Sequence, residues 1–312
     1  RKRRVVTRIV ISTTLNYLRK MNNIFELFSK YSIGKNDREV EMAVDALLHS
    51  SFERNNTKAI YCKLLENIDL TTLKSTDNSE SVTAFVDKVN NFDSKFDILP
   101  LPAGICVYPA FVPTVKETLL EDVDIVAVAG GFPHSQTFME VKLAEVGLAI
   151  ASGATEIDIV FPVGKYLAGE YDDIYDEISE IKAYCKDVTL KVILEVSLLK
   201  TVENIEKAAI ISINAGADFI KTSTGKDGSV ANLAAAYVMC EVIGKMEPEI
   251  GRNVGFKAAG GISTSSDAVK YYSIVESVLG ADHTDKSLFR IGASSLANNL
   301  LSDITGDKVS YF

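Results

Sequence analysis

The sequence predicts an α/β fold: a (β/α)8 TIM barrel with an N-terminal helical extension. Three observations carry this. Eight short segments rich in Ile, Val and Phe, bounded by Gly, Pro or Asn, recur from Ile68 to the last quarter of the chain. Between them lie stretches with apolar residues three and four apart, the period of a helix packed on one face. No GxGxxG or Walker loop follows any of the strands: Gly225-Lys226 leads into Asp227, and Ile220 stands where the Walker pattern needs glycine. Eight strand–helix units over roughly 240 residues is the count of a closed barrel, with an open doubly wound sheet as the runner-up.

The strand candidates run in order as IDLTTL from Ile68, GICVYP from Gly104, DIVAVA from Asp124, EIDIVF from Glu156, TLKVILEV from Thr189, DFIKTS from Asp218, GFKAAG from Gly255 and LFRIG from Leu288. Thr201 can cap a helix running to Asn214, and Ser265 or Ser266 one starting near Asp267. Gly216 and Gly280 fall just past helix ends, where a left-handed residue is wanted. Before about Leu65 there is no strand signal. NYLRKMNNIFELF and DREVEMAVDALLHSSF read as amphipathic helices that cover the barrel bottom or a partner subunit. The expected division is residues 1–65 as helical extension, 66–305 as catalytic barrel and 306–312 as a polar tail.

Composition excludes several classes. The chain has 312 residues, 47% of them hydrophobic, and a net charge of -9. Such a balance attracts neither nucleic acid nor an anionic membrane, and the RKRR opening reads as a solvated tail. No apolar run is long enough to span a bilayer, and no signal peptide opens the chain. Cys62, Cys106, Cys185 and Cys240 are scattered without a CxxC, which fits a reducing, cytoplasmic setting. The three histidines, His49, His134 and His283, have no ligand spacing, so no metal and no other cofactor is expected. His134 reads as a surface histidine after the third strand, and Cys106 as inert core.

The chemistry concentrates on two lysines. Lys221 in FIKTSTGK and Lys257 in GFKAAGG end adjacent strands that run into glycine turns. A buried ammonium is costly, and two close together push each other towards the neutral amine. Lowering an ordinary lysine by about three units makes roughly a third of it neutral at pH 7. A neutral lysine is a carbonyl nucleophile, so the pair points to Schiff-base chemistry; the plainer alternative is a carboxylate partner holding strands in register. Asp158 shares a strand face with Glu156 and Val160, so it is either a proton carrier working with Lys257 or half of a structural ion pair. Asp69, and Lys191 with Glu195, are candidates for an ion-pair layer filling the barrel. Gly260-Gly261 after strand seven and Gly292 to Ser295 (GASS) after strand eight stand where barrels hold phosphate, with Ser294 and Ser295 as hydroxyl donors and Lys226 as a nearby cation.

These motifs together (IDLTTL, EIDIVF, FIKTSTGK, GFKxAGG and FRIGASS, in unbroken order from Ile68 to Leu301) resemble the deoxyribose-phosphate aldolase family. The resemblance implies a metal-free class I aldolase that reversibly cleaves 2-deoxy-D-ribose 5-phosphate to acetaldehyde and D-glyceraldehyde 3-phosphate. It implies Lys221 as the Schiff-base lysine, Lys257 as its electrostatic partner and Asp158 as the proton-relay acid. Asp69, Lys191 and Lys226 match pocket residues, and Gly261, Ser294 and Ser295 match the phosphate loops. Tyr311 matches a tail tyrosine that folds over the site, and a homodimer is the implied assembly. Ala258 departs from the usual proline, and EVSLLK from a threonine-glycine pattern. A Schiff-base aldolase for another phosphorylated sugar and a non-catalytic sugar-phosphate-binding barrel remain as alternatives.

Overall fold

The computed structural model describes residues 24–312. Eight parallel strands close into a barrel in sequence order, β1 to β8: Ile68–Thr71, Gly104–Val107, Asp124–Ala129, Glu156–Val160, Thr189–Ile193, Phe219–Lys221, Gly255–Ala259 and Phe289–Ala293. Every strand candidate from the sequence is one of these. The strands are buried on both faces, because the helix ring covers the outside while side chains, several of them charged, fill the lumen. Their outward residues, such as Ile105, Ile157, Leu190 and Ile220, are fully buried against that ring.

Local signals set the helices. Thr201 caps Val202–Asn214, its hydroxyl accepting from Asn204 N at 3.2 Å. The helix after β7 starts earlier than expected. It spans Ser265–Leu279, and its cap is Thr264, which accepts from Asp267 N at 3.0 Å. Either serine was a plausible cap by composition; the chain leaves extended geometry one residue sooner. Gly255 admits close packing at the base of β7, since a Cβ there would lie 2.2 Å from the Phe219 ring.

The N-terminal helices lie along the barrel's side, a correction to the expected cover over its bottom. Helix Asp37–Asn55 opens with a capping box between Asn36 and Glu39. It packs on Ser265–Leu279 and Leu233–Ile250 of the outer ring. Arg54 pairs with Glu276 at 2.7 Å, and Asn55 donates to Ser273 Oγ at 3.1 Å. Helix Lys58–Glu66 then delivers the chain to β1. The RKRR opening and the first part of NYLRKMNNIFELF lie outside the described residues. Among the described residues no helix is long and apolar enough to cross a membrane.

Candidate active site

At the lumen's centre the two lysines stand side by side. Lys221 and Lys257 are register partners on β6 and β7. One hydroxyl locks the strands together just above them: Thr222 Oγ1 accepts from Ala259 N and donates to Ala259 O, both at 2.9 Å. Asp158 on β4 completes the cluster. Its Oδ2 accepts from Lys221 Nζ and from Lys257 Nζ, each at 2.8 Å. Asp158 and Lys257 are 0% exposed and Lys221 is 3% exposed, so only Lys221 meets open space.

Beneath this cluster lies an ionic layer. Lys257 also donates to Asp69. Arg290 of β8 reaches Asp69 Oδ1 at 2.6 Å, Asp124 at 2.8 Å and Glu156 Oε1 at 3.1 Å. Lys191 pairs with Glu156 and sits 3.5 Å from Asp158 Oδ1. Four cations (Lys191, Lys221, Lys257, Arg290) therefore face three buried carboxylates (Asp69, Glu156, Asp158), with the more exposed Asp124 at the edge.

Burial opposes charge in such a layer, and the balance between burial and partners differs from group to group. Burial disfavours charge on Asp158, but Lys221, Lys257 and Lys191 outweigh it and hold the carboxyl well below its ordinary range. Asp69 is likewise held low, by Lys257 and Arg290 against burial. For Glu156 burial prevails over Lys191 and Arg290, and its carboxyl is pushed up. Lys257 loses to burial less than it gains from Asp158 and Asp69, so its ammonium is held above the ordinary lysine range. The expected neutralisation does not hold for Lys257: two carboxylates keep it charged. Burial pushes the Cys106 thiol up, in keeping with an inert cysteine.

Above the lysine opens a cavity of about 510 Å³. Lys221 forms its floor. Lys226, Gly260, Gly261, Gly292, Ser294 and Ser295 line its walls, as the sequence placed them. Gly260 at φ +98° holds a conformation other residues avoid, and a Cβ there would lie 2.9 Å from Ser229 O. Ser294 precedes helix Ser295–Thr305 but makes no side-chain capping bond, so the first amides of that helix face the cavity uncapped. Sequence reasoning missed Thr71, Thr72, Lys74 and Thr224, which also line it. A lysine in LKSTD carries no local signal; only barrel closure brings the β1 loop beside the β8 loop.

The expectations for Asp69 and Lys191 as pocket residues, for Glu195 and for Tyr311 are corrected, and Arg290 is added. Asp69 and Lys191 do not line the cavity as the resemblance implied; both are fully buried in an ionic layer beneath, bound to Lys257, Arg290 and Glu156, which is the ion-pair layer read from the residues. Glu195 does not pair with Lys191. Its backbone turns left-handed at φ +60°, ending β5 at Ile193, and its carboxylate instead takes Thr224 Oγ1 at 2.5 Å and Ser229 Oγ. Tyr311 does not cover the site. Its hydroxyl donates to Lys88 O at 2.6 Å, its backbone N–H to Asn298 Oδ1 at 2.7 Å, and its ring packs on Phe92 and Phe96 outside the barrel. Finally Arg290, a strand cation the sequence left without a role, is the hub of the ionic layer. Among the described residues no cluster of His, Cys, Asp or Glu is arranged to hold a metal ion.

Comparison with known proteins agrees with this geometry. The DeoC/LacD family aldolase profile matches residues 63–299. The chain belongs to the DeoC/LacD aldolase family. A Caenorhabditis elegans protein provisionally named deoxyribose-phosphate aldolase is 40% identical over 252 residues, covering 78% of this chain and 80% of its own. The deoxyribose-phosphate aldolase of Aeropyrum pernix, described as tetrameric, superposes with a TM-score of 0.61 at 27% identity, covering 82% of this chain and 96% of that one. A Toxoplasma gondii structure with the same provisional name has a TM-score of 0.70 at 22% identity, covers 82% of this chain and 97% of that one, and supports the barrel fold. Membership makes this chain an aldolase, a lyase that cleaves a carbon–carbon bond.

Proposed function

We propose that the chain reversibly cleaves 2-deoxy-D-ribose 5-phosphate to acetaldehyde and D-glyceraldehyde 3-phosphate, through a Schiff base on Lys221. The observation that carries this is Lys221 Nζ at the floor of the cavity, 2.8 Å from Asp158, with glycine and serine loops opposite. Of the four cations in the buried layer, Lys221 is the one that borders the cavity. Lys221 Nζ attacks C1 of the open-chain aldehyde, and loss of water gives an iminium. A water positioned by Asp158 and the Lys257 ammonium takes the proton from the C3 hydroxyl and passes it to the Asp158 carboxylate. The C2–C3 bond breaks, its electrons enter the iminium, and glyceraldehyde phosphate departs. The enamine is protonated at C2, and water releases acetaldehyde and restores the amine.

The phosphate is assigned to Gly260, Gly261, Gly292, Ser294 and Ser295. Their backbone N–H groups, two hydroxyls and the start of helix Ser295–Thr305 suit an anion, and Lys226 supplies charge from the facing wall. Such remote contacts orient the reacting carbon. A reducing cytoplasm belongs to the same reading, supported by four free cysteines, three of them buried; a homodimer is carried by the family resemblance alone. Turnover measured by coupled detection of both products tests the proposal. Lys221→Ala is expected to lose at least about 1,000-fold in kcat while staying folded; residual turnover within tenfold of the parent contradicts it.

A further inference from the structure

Glu195 is a carboxylate only 6% exposed, and among the described residues no lysine, arginine or histidine pairs with it. Burying a charge without a cation is costly. Its backbone is strained as well, left-handed at φ +60° and ψ +56°. Pairing with β6 nevertheless continues on both sides of it: Leu194 N donates to Lys221 O at 2.8 Å and Val196 N to Thr222 O at 3.0 Å. A residue other than glycine keeps such a conformation where its surroundings enforce it, most often at functional sites.

The kink aims the carboxylate at the loop after β6. One oxygen accepts from Thr224 Oγ1 at 2.5 Å, the other from Thr224 N at 3.3 Å and from Ser229 Oγ. One side chain thus ties the two ends of loop 224–229. That loop turns left-handed at Gly225, Asp227 and Gly228 and has no regular structure, so its shape depends on such ties. The Thr224 hydroxyl passes the constraint on by accepting from Lys226 N at 3.1 Å. Ser229 N donates to Lys226 O at 2.8 Å. Lys226 is therefore held by both of its backbone groups, with its ammonium across the mouth on Leu73 O. Lys226 borders the Lys221 cavity, whereas Glu195 and Ser229 do not.

We propose that Glu195 is a positioning residue for phosphate binding: it fixes the loop after β6 so that Lys226 faces the phosphate of the sugar. The inference rests on the aldolase reading above, with Lys226 as the cation for that phosphate. Glu195 acts through Thr224, Ser229 and Lys226 and touches no substrate. A cation already in place binds an anion without the further cost of ordering its loop.

The test compares Glu195→Ala, Glu195→Gln and Ser229→Ala with the parent on 2-deoxyribose 5-phosphate and on unphosphorylated 2-deoxyribose, with the melting temperature of each protein. Glu195→Ala is expected to raise KM at least about tenfold for the phosphorylated sugar and less than about threefold for the other. Ser229→Ala, a milder cut made outside the Lys221 cavity, should raise the first by about threefold to fivefold. Glu195→Gln keeps an oxygen for Thr224 and an amide that can donate to the Ser229 hydroxyl, and should stay within about threefold of the parent. In a cycle with Lys226→Met, adding Glu195→Ala should worsen KM by no more than about twofold, because one cation is lost only once. Equal effects of Glu195→Ala on both sugars, or additive effects in the cycle, overturn the positioning role and leave the aldolase reading standing. If Glu195→Ala does not fold, Ser229→Ala takes its place in the cycle and additivity overturns the role in the same way. A parent that binds sn-glycerol 3-phosphate without cleaving the sugar overturns the aldolase reading, and calorimetric titration of that probe then replaces KM in the same comparison. A parent that does neither overturns both.

Discussion

Replacing Lys257 by methionine removes one buried ammonium at nearly constant volume, and the geometry sets the size of the effect. Lys221 and Lys257 each lie 2.8 Å from the same oxygen of Asp158, so their nitrogens are at most about 5.6 Å apart (twice 2.8 Å). At an effective dielectric of about 20, two unit charges at that separation repel by about 3 kcal/mol, or about two pH units. Both side chains are buried, so solvent screening is small. Without Lys257 the whole negative charge of Asp158 faces Lys221, and the pH midpoint for imine trapping should rise by about two units. The variant also strands Asp69 and Asp158 with one fewer partner. Arg290 still holds Asp69 at 2.6 Å, so the cost should fall near the lower end for a broken buried pair, about 3 kcal/mol. For a chain of this size that is a drop in Tm of about 5 °C. The assay is borohydride trapping of acetaldehyde across pH 5 to 10, with the melting temperature from the same preparation. A midpoint that moves by less than about half a unit refutes the electrostatic link between the two amines.

Three further outcomes are expected. Lys226→Met should raise KM for the phosphorylated sugar roughly tenfold or more, against little change for unphosphorylated 2-deoxyribose; equal effects on both would remove Lys226 from the phosphate. Asp69 and Asp158 are held low, so their stabilisation is complete above pH of about 4 and disappears as pH falls towards their folded values, while Lys257, held high, contributes throughout the range below about 10. Urea unfolding at pH 5 and pH 3 should accordingly show a smaller loss of stability in Asp69→Asn than in the parent, and identical losses would deny that Asp69 ionisation is coupled to folding. Deleting Tyr311 and Phe312 strips two rings from Phe92 and Phe96, and should lower Tm by roughly 3–5 °C with turnover little altered; a large loss of turnover with an unchanged Tm would show that the tail leaves its packed position to serve the site.

The parts of this molecule readable from sequence are those governed by neighbours along the chain. Strand patterning around Ile157 or Ile220 depends on a few adjacent residues, as does the run from Lys221 or Lys257 into a glycine turn. GASS marks a strand end meeting a helix start wherever it occurs in a barrel. The features that the sequence misread or left between two readings depend on depth and closure. Asp69 and Lys221 both project into the lumen, but only three-dimensional stagger puts Asp69 in the layer beneath and Lys221 at the floor of a cavity. Arg290 could equally have pointed at solvent by its place in LFRIG; its three carboxylate contacts arise from β1, β3 and β4 converging on β8. Glu195 belongs to an unbroken strand pattern, and its left-handed turn goes with bonds to Thr224 and Ser229 from the loop after β6, which the strand pattern does not reveal.

The central claim is that one amine, at the tip of β6, becomes covalently joined to the sugar. Incubation with 2-deoxyribose 5-phosphate, reduction with borohydride and peptide mapping test it most directly. A single stable adduct on the peptide containing Lys221, absent from Lys221→Ala and with Lys257 unmodified, is the predicted result. An adduct on Lys257 or Lys226, or full turnover with no adduct at all, would contradict it.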